Sequence, residues 1–90
     1  MNATKCNSMR EVDEGPAGSF FIDRERPSKP SLYVRLPKDS MVYRLPLYEG
    51  DGIEHSWRFS GTDDKPTLNP SINAVGVWHG WLTDGRFTDC

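Results

Sequence analysis

Short alternations of hydrophobic and polar residues run along the middle of this chain, and they predict strands. Residues 32–36 place Leu32, Val34 and Leu36 on one side, and residues 41–45 resume the alternation after a turn at 37–40. Two such runs joined by a short polar turn are typical of a β-hairpin. Pro46 should end the second strand or place it at an edge, because proline has no N–H to donate to a ladder.

Further strands are predicted on both sides of this hairpin. An apolar run at 19–22 predicts one, and the clearest alternation, at 53–59, predicts another that is half-buried. Pro66 and Pro70 frame an extended segment with Leu68 and Ile72 pointing inward. A long strand at 75–82, the hairpin signal Asp84-Gly85 and a return strand at 86–88 complete the pattern.

Helical periodicity is poor throughout, and residues 8–14 could form at most a turn or two. Residues 1–18 are polar and rich in turn formers, which predicts an N-terminal arm held by the domain itself or by a partner. The expected fold is therefore mainly β, with little or no helix. It is a small antiparallel sheet of hairpins forming a single β domain over residues 19–90.

Length and charge narrow the possible functions. A chain of 90 residues makes one domain with a small core, to which three Trp, three Tyr and four Phe contribute much of the apolar surface. With a net charge of -2, the chain lacks the clustered basic surface that binding to nucleic acid requires. No run of apolar residues approaches the length needed to span a membrane. Without a signal-peptide core, Cys6 and Cys90 are expected to be free thiols in the cytosol.

The strand at 75–82 has two partly apolar faces, which leaves the role of its tryptophans open. Trp81 shares a side with Val75, Val77 and His79, whereas Trp78 lies between Gly76 and Gly80 on the other side. Those glycines leave space in which Trp78 could lie across the sheet. Trp78 is either a core residue or an aromatic anchor for a partner.

No catalytic set is evident in the sequence. His79, like His55, is placed on the apolar side of a strand, as a core imidazole would be, and no Cys or His pair has zinc-ligand spacing. Ser71 lies in a segment that resembles no nucleophile elbow, and Asp63 and Asp64 would point apart. The residues thus predict a protein that is not an enzyme and holds no metal or cofactor.

Two blocks carry a family resemblance over residues 36–90: Pro-Thr-Leu-x-Pro-Ser-Ile at 66–72 and His-x-Trp-Leu-x-x-Gly-Arg at 79–86. They resemble an uncharacterised family of short phage and bacterial proteins, sometimes labelled ammonia monooxygenase. Many members look like small zinc-binding β-proteins. Only His79 and Cys90 match possible ligand positions here, so the resemblance implies a scaffold that has lost its metal.

The resemblance implies a phage origin and suggests a protein that binds another protein without catalysis. The first hypothesis is a host-directed inhibitor, for example an anti-CRISPR protein, in the host cytoplasm. Its predicted contact residues are aromatic or acidic: Trp78, Trp81, Glu49, Asp51, Asp63 and Asp64. The alternatives are a virion accessory protein, with the arm along a neighbour, and a zinc-binding regulator.

Overall fold

A computed structural model describes residues 1–25, 30–37, 41–48 and 56–89. These residues form one curled eight-stranded sheet whose strands are neighbours in chain order, with one short helix. The mainly β prediction is confirmed. The elements are β1 Thr4–Lys5, α1 Met9–Glu14, β2 Ser19–Asp23, β3 Ser31–Arg35, β4 Val42–Tyr48, β5 Trp57–Gly61, β6 Pro66–Ala74, β7 Trp78–Thr83 and β8 Arg86–Asp89.

Most neighbouring strands are antiparallel, as the hairpin signals predict. The exceptions are two short parallel contacts, β1 with β2 and β4 with β5. The N-terminal residues also reach the last strand, because Ala3 N–H donates to Gly85 O and Phe87 N–H donates to Met1 O, both at 2.8 Å. The sheet therefore curls until its two ends meet.

The segment predicted as an arm packs against the rest of the domain. Helix α1 begins at the N-cap Ser8, whose side chain accepts from the Glu11 N–H, and it buries Val12 completely. Arg35 of β3 donates to the Val12 carbonyl oxygen at 3.3 Å. Contacts within the domain thus hold these residues in place.

The core lies inside the curl, and most of its side chains are aliphatic. Leu68 and Ile72 point inward as expected. The buried cluster consists of Phe20, Leu32, Val34, Leu36, Leu45, Leu47, Leu68, Ile72, Trp78, Leu82 and Phe87. Every strand from β2 to β8 except β5 contributes to it, and β5 adds the half-buried Trp57 and Phe59.

Pro46 does not end β4, so that prediction is wrong. The strand continues to Tyr48, and the Leu47 N–H donates to the Pro30 oxygen at 2.9 Å. Because successive N–H groups point to opposite sides of a strand, the Pro46 nitrogen faces away from β3. No hydrogen bond to β3 is lost there.

The predicted strand at 75–82 begins later than expected. Residues 75–77 form a turn instead, closed by Val77 N–H donating to Ala74 O at 2.8 Å, with Gly76 at φ +79°. Val75 is consequently 88% exposed. From Trp78 onward the alternation is regular, with Trp78, Gly80 and Leu82 buried.

Parts of several predictions fall outside the described residues. Trp57–Gly61 confirms the end of the strand predicted at 53–59, whereas His55 lies in a part of the chain that is not described. The same applies to Glu49, Asp51 and Cys90.

Candidate active site

A bulge interrupts β6 where it pairs with β7. Leu68 pairs with Leu82 and Ile72 pairs with Gly80, so the three residues 69–71 face a single residue, Trp81. The Asn69-Pro70 peptide bond within the bulge is cis. Such bulges bend a strand and re-aim its side chains, and they are common beside active sites.

The pairing of β6 with β7 places Ser71 next to His79, at the end of the bulge. The Ser71 Oγ lies 3.2 Å from the His79 Nε2, within hydrogen-bond reach. Ser71 is half-buried, while His79 is on the exposed face of its strand, directly opposite Asn73. When the ring proton is on Nδ1, the hydroxyl donates to Nε2, which is the arrangement in which an imidazole activates a serine.

A tryptophan from the neighbouring strand holds the backbone of Ser71. The Trp57 indole Nε1–H donates to the Ser71 carbonyl oxygen at 3.4 Å. Trp57 is half-buried and packs against the core cluster. One edge of the bulge is therefore anchored to β5.

The opposite face of β7 is fixed by Trp78. Its indole N–H donates to Asp89 Oδ1 at 2.6 Å, and its ring meets Phe87 edge to face with centroids 5.7 Å apart. Gly80 leaves the space that this ring occupies, because a Cβ there would lie 2.4 Å from Trp78 Cζ2. The rigid underside of β7 positions His79 on the outer face.

An open cleft of about 190 Å³ borders this pair. Trp57 and Asn73 both contribute to its walls. Trp57 contacts the Ser71 carbonyl, and Asn73 pairs with His79 across the ladder. The cleft is thus connected to Ser71 through its backbone carbonyl and to His79 through its ladder partner, although neither residue lines it.

The structure separates the residues predicted to bind a partner. Trp78 is only 6% exposed and belongs to the core, whereas Trp81 is 41% exposed opposite the bulge. Asp63 and Asp64 lie in the loop before β6 and form surface ion pairs with Arg24 and Lys5. Only Trp81 of these described residues adjoins the Ser71–His79 pair.

Two sequence interpretations of this region are wrong. His79 is on the exposed face of β7 and not on an apolar side. The sequence around Ser71 resembles no nucleophile elbow, yet strand pairing places its hydroxyl beside an imidazole. The available signal was Pro70, since a proline inside a strand pattern indicates a bulge.

A family model matches residues 7–90, and its description is Bacterial ubiquitination-like system serine protease (BubE). The chain belongs to the BubE family. No curated protein and no solved structure matches it. A serine beside a histidine is a side-chain pair that many serine proteases use.

This membership corrects the functional predictions. The assignment to an uncharacterised phage family is wrong. The predicted function as a non-catalytic inhibitor, for example an anti-CRISPR protein, is also wrong, as are its alternatives, because the BubE family is described as a serine protease. The prediction that the protein is not an enzyme is wrong for the same reason. It failed because Ser71 and His79 are brought together by the pairing of β6 with β7, which the sequence does not specify.

The coarser prediction of protein partners is confirmed by membership of a ubiquitination-like system. The only helix among the described residues has six residues. No helix in this part of the chain is long and apolar enough to cross a membrane.

Proposed function

We propose that this protein is a serine protease of a bacterial ubiquitination-like system, with Ser71 as nucleophile and His79 as general base. The observation that carries the proposal is the 3.2 Å separation of Ser71 Oγ and His79 Nε2 on the outer face of the sheet. The family description supports the reaction class. The pair needs little rearrangement to transfer a proton.

The chemistry follows from this geometry. The Ser71 Oγ bonds to the carbonyl carbon of the scissile amide while its proton passes to His79 Nε2. The C–N bond then breaks, and the amine leaves with the proton that His79 carried. A water molecule next attacks the acyl-enzyme, giving a proton to His79, which returns it to the Ser71 oxygen as the acid departs.

The bulge also offers a backbone donor for the oxyanion. Pro70 has no N–H, and Ser71 has no partner in the β6–β7 register. We assign the Ser71 N–H, the backbone donor of the nucleophile itself, to stabilise the developing negative charge. Such a donor is worth about 10²- to 10³-fold in rate.

Trp81 is the residue we assign to contact the protein substrate. It faces the bulge from β7 and is 41% exposed, although a tryptophan side chain carries a large apolar surface. Aromatic residues at such positions frequently dominate binding to protein partners.

The test is covalent labelling with a fluorophosphonate, which reacts preferentially with activated serines, followed by peptide mapping. We expect a single adduct on Ser71, none in Ser71→Ala, and a rate lower by about 10²- to 10⁴-fold in His79→Gln because the base is lost. Ser60→Ala, at an exposed serine of β5, is the matched control and should label normally.

Labelling that persists in Ser71→Ala, or that maps to another serine, would refute the assignment. Circular dichroism of each variant separates a lost nucleophile from a lost fold. Unchanged labelling of a folded His79→Gln variant would remove His79 from the mechanism.

A further inference from the structure

The cleft beside the Ser71–His79 pair has the size of a single side chain. Its volume is about 190 Å³, below the roughly 300–1,000 Å³ of pockets that hold a whole small molecule. It lies between β4 and β6, and its lining includes Leu36, Arg44, Leu45, Ile72, Asn73 and Ala74.

The lining is apolar inside and polar at the rim. Leu36, Leu45 and Ile72 are buried, whereas Arg44 and Asn73 are exposed. An apolar interior favours the burial of an aliphatic group, with a gain in binding free energy of about 0.8 kcal/mol for each CH₂. A charged side chain would have to leave water for this apolar interior, because the charged residue of the lining, Arg44, lies at the exposed rim.

The cleft is joined to the nucleophile by the chain itself. Ile72, in its wall, directly follows Ser71, and the Trp57 indole that forms another part of the wall donates to the Ser71 carbonyl. When an acyl group is bonded to the Ser71 Oγ, the side chain on the carbon next to the carbonyl is held close to the Ser71 backbone that this wall adjoins.

We propose that this cleft binds the apolar side chain of the substrate residue whose carbonyl is attacked. This inference rests on the proposed function of Ser71 and adds the substrate class to it. The enzyme thus discriminates between acyl groups by the side chain next to the scissile bond.

The experiment uses p-nitrophenyl esters of N-acetylglycine, N-acetylalanine and N-acetylleucine, which differ only in that side chain. In each reaction the Ser71 Oγ bonds to the carbonyl carbon, the ester C–O bond breaks, and p-nitrophenolate leaves and is measured by absorbance. The Oγ proton passes to His79, and water then releases the acetylated amino acid. We expect kcat/KM for the leucine ester to exceed that for the glycine ester by about 10- to 200-fold.

Ala74→Leu fills the cleft and should remove this preference, with the glycine ester as internal reference. The matched control is Val75→Leu at the next residue, which is 88% exposed and outside the lining, so it should keep the wild-type ratio. The ratio in the wild-type protein tests the inference even if Ala74→Leu does not fold.

Equal kcat/KM values for the three esters in the wild-type protein would overturn the inference, as would an unchanged ratio in folded Ala74→Leu. These failures differ from failure of the proposed function, which shows as fluorophosphonate labelling that does not depend on Ser71. A wild-type protein that labels at Ser71 but does not distinguish the esters would retain its nucleophile and lack this specificity cleft.

Discussion

Replacing Gly80 by alanine tests how the underside of β7 supports the catalytic face. Gly80 lies between His79 and Trp81 in the strand, and its missing side chain is the space into which the Trp78 ring fits. An added Cβ would lie 2.3 Å from the Thr88 carbonyl oxygen and 2.4 Å from Trp78 Cζ2. Ordinary contacts are 3.4–4 Å, so the ring or β8 must move by roughly 1 Å.

The cost can be worked out from those contacts. Overpacking of a core costs about 1–3 kcal/mol. A displaced Trp78 ring also weakens its 2.6 Å hydrogen bond to Asp89, and hydrogen bonds to charged groups contribute about 1.5–3 kcal/mol. Because the two effects overlap, we expect Gly80→Ala to lower the free energy of unfolding by about 3 kcal/mol. In a domain of this size, that loss lowers the Tm by about 12–24 °C.

Gly76→Ala is the matched control. Its added Cβ meets nothing within 4 Å, but the residue has φ +79°, so the substitution costs about 1 kcal/mol in backbone strain. Urea denaturation followed by tryptophan fluorescence gives both free energies of unfolding. The reasoning is refuted if Gly80→Ala destabilises the protein no more than Gly76→Ala.

Two further predictions concern the edges of the site. Trp57→Phe keeps an aromatic ring but removes the N–H that donates to Ser71 O, so we expect a loss of about 0.5–1.5 kcal/mol in stability and a slower fluorophosphonate reaction at Ser71. An unchanged labelling rate would show that this bond does not position the nucleophile. Trp81→Ala removes a 41% exposed side chain, so we expect a higher KM for a protein substrate with an unchanged rate of fluorophosphonate labelling. An unchanged KM would exclude Trp81 as a substrate contact.

The sequence by itself determined the features that depend on neighbouring residues. Asp84 and Gly85 have positive φ values of 49° and 75° in the β7–β8 turn, as the Asp-Gly signal predicts. The alternation along β7 grouped Trp78, Gly80 and Leu82 on one face and His79 and Trp81 on the other, but it did not show which face is buried. These features are local, because backbone preference and the two-residue alternation of side chains along a strand both depend on adjacent residues.

The tertiary structure alone decided which side chains meet. Ser71 and His79 belong to different strands, and their contact depends on the register in which β6 pairs with β7. Pro70 indicated an irregular strand but not its partner or register. The role of Trp78 was likewise settled by packing, because only the positions of Phe87 and Asp89 show that its ring and its N–H are both satisfied inside the domain. Register and packing arise from contacts between distant segments, which no local pattern specifies.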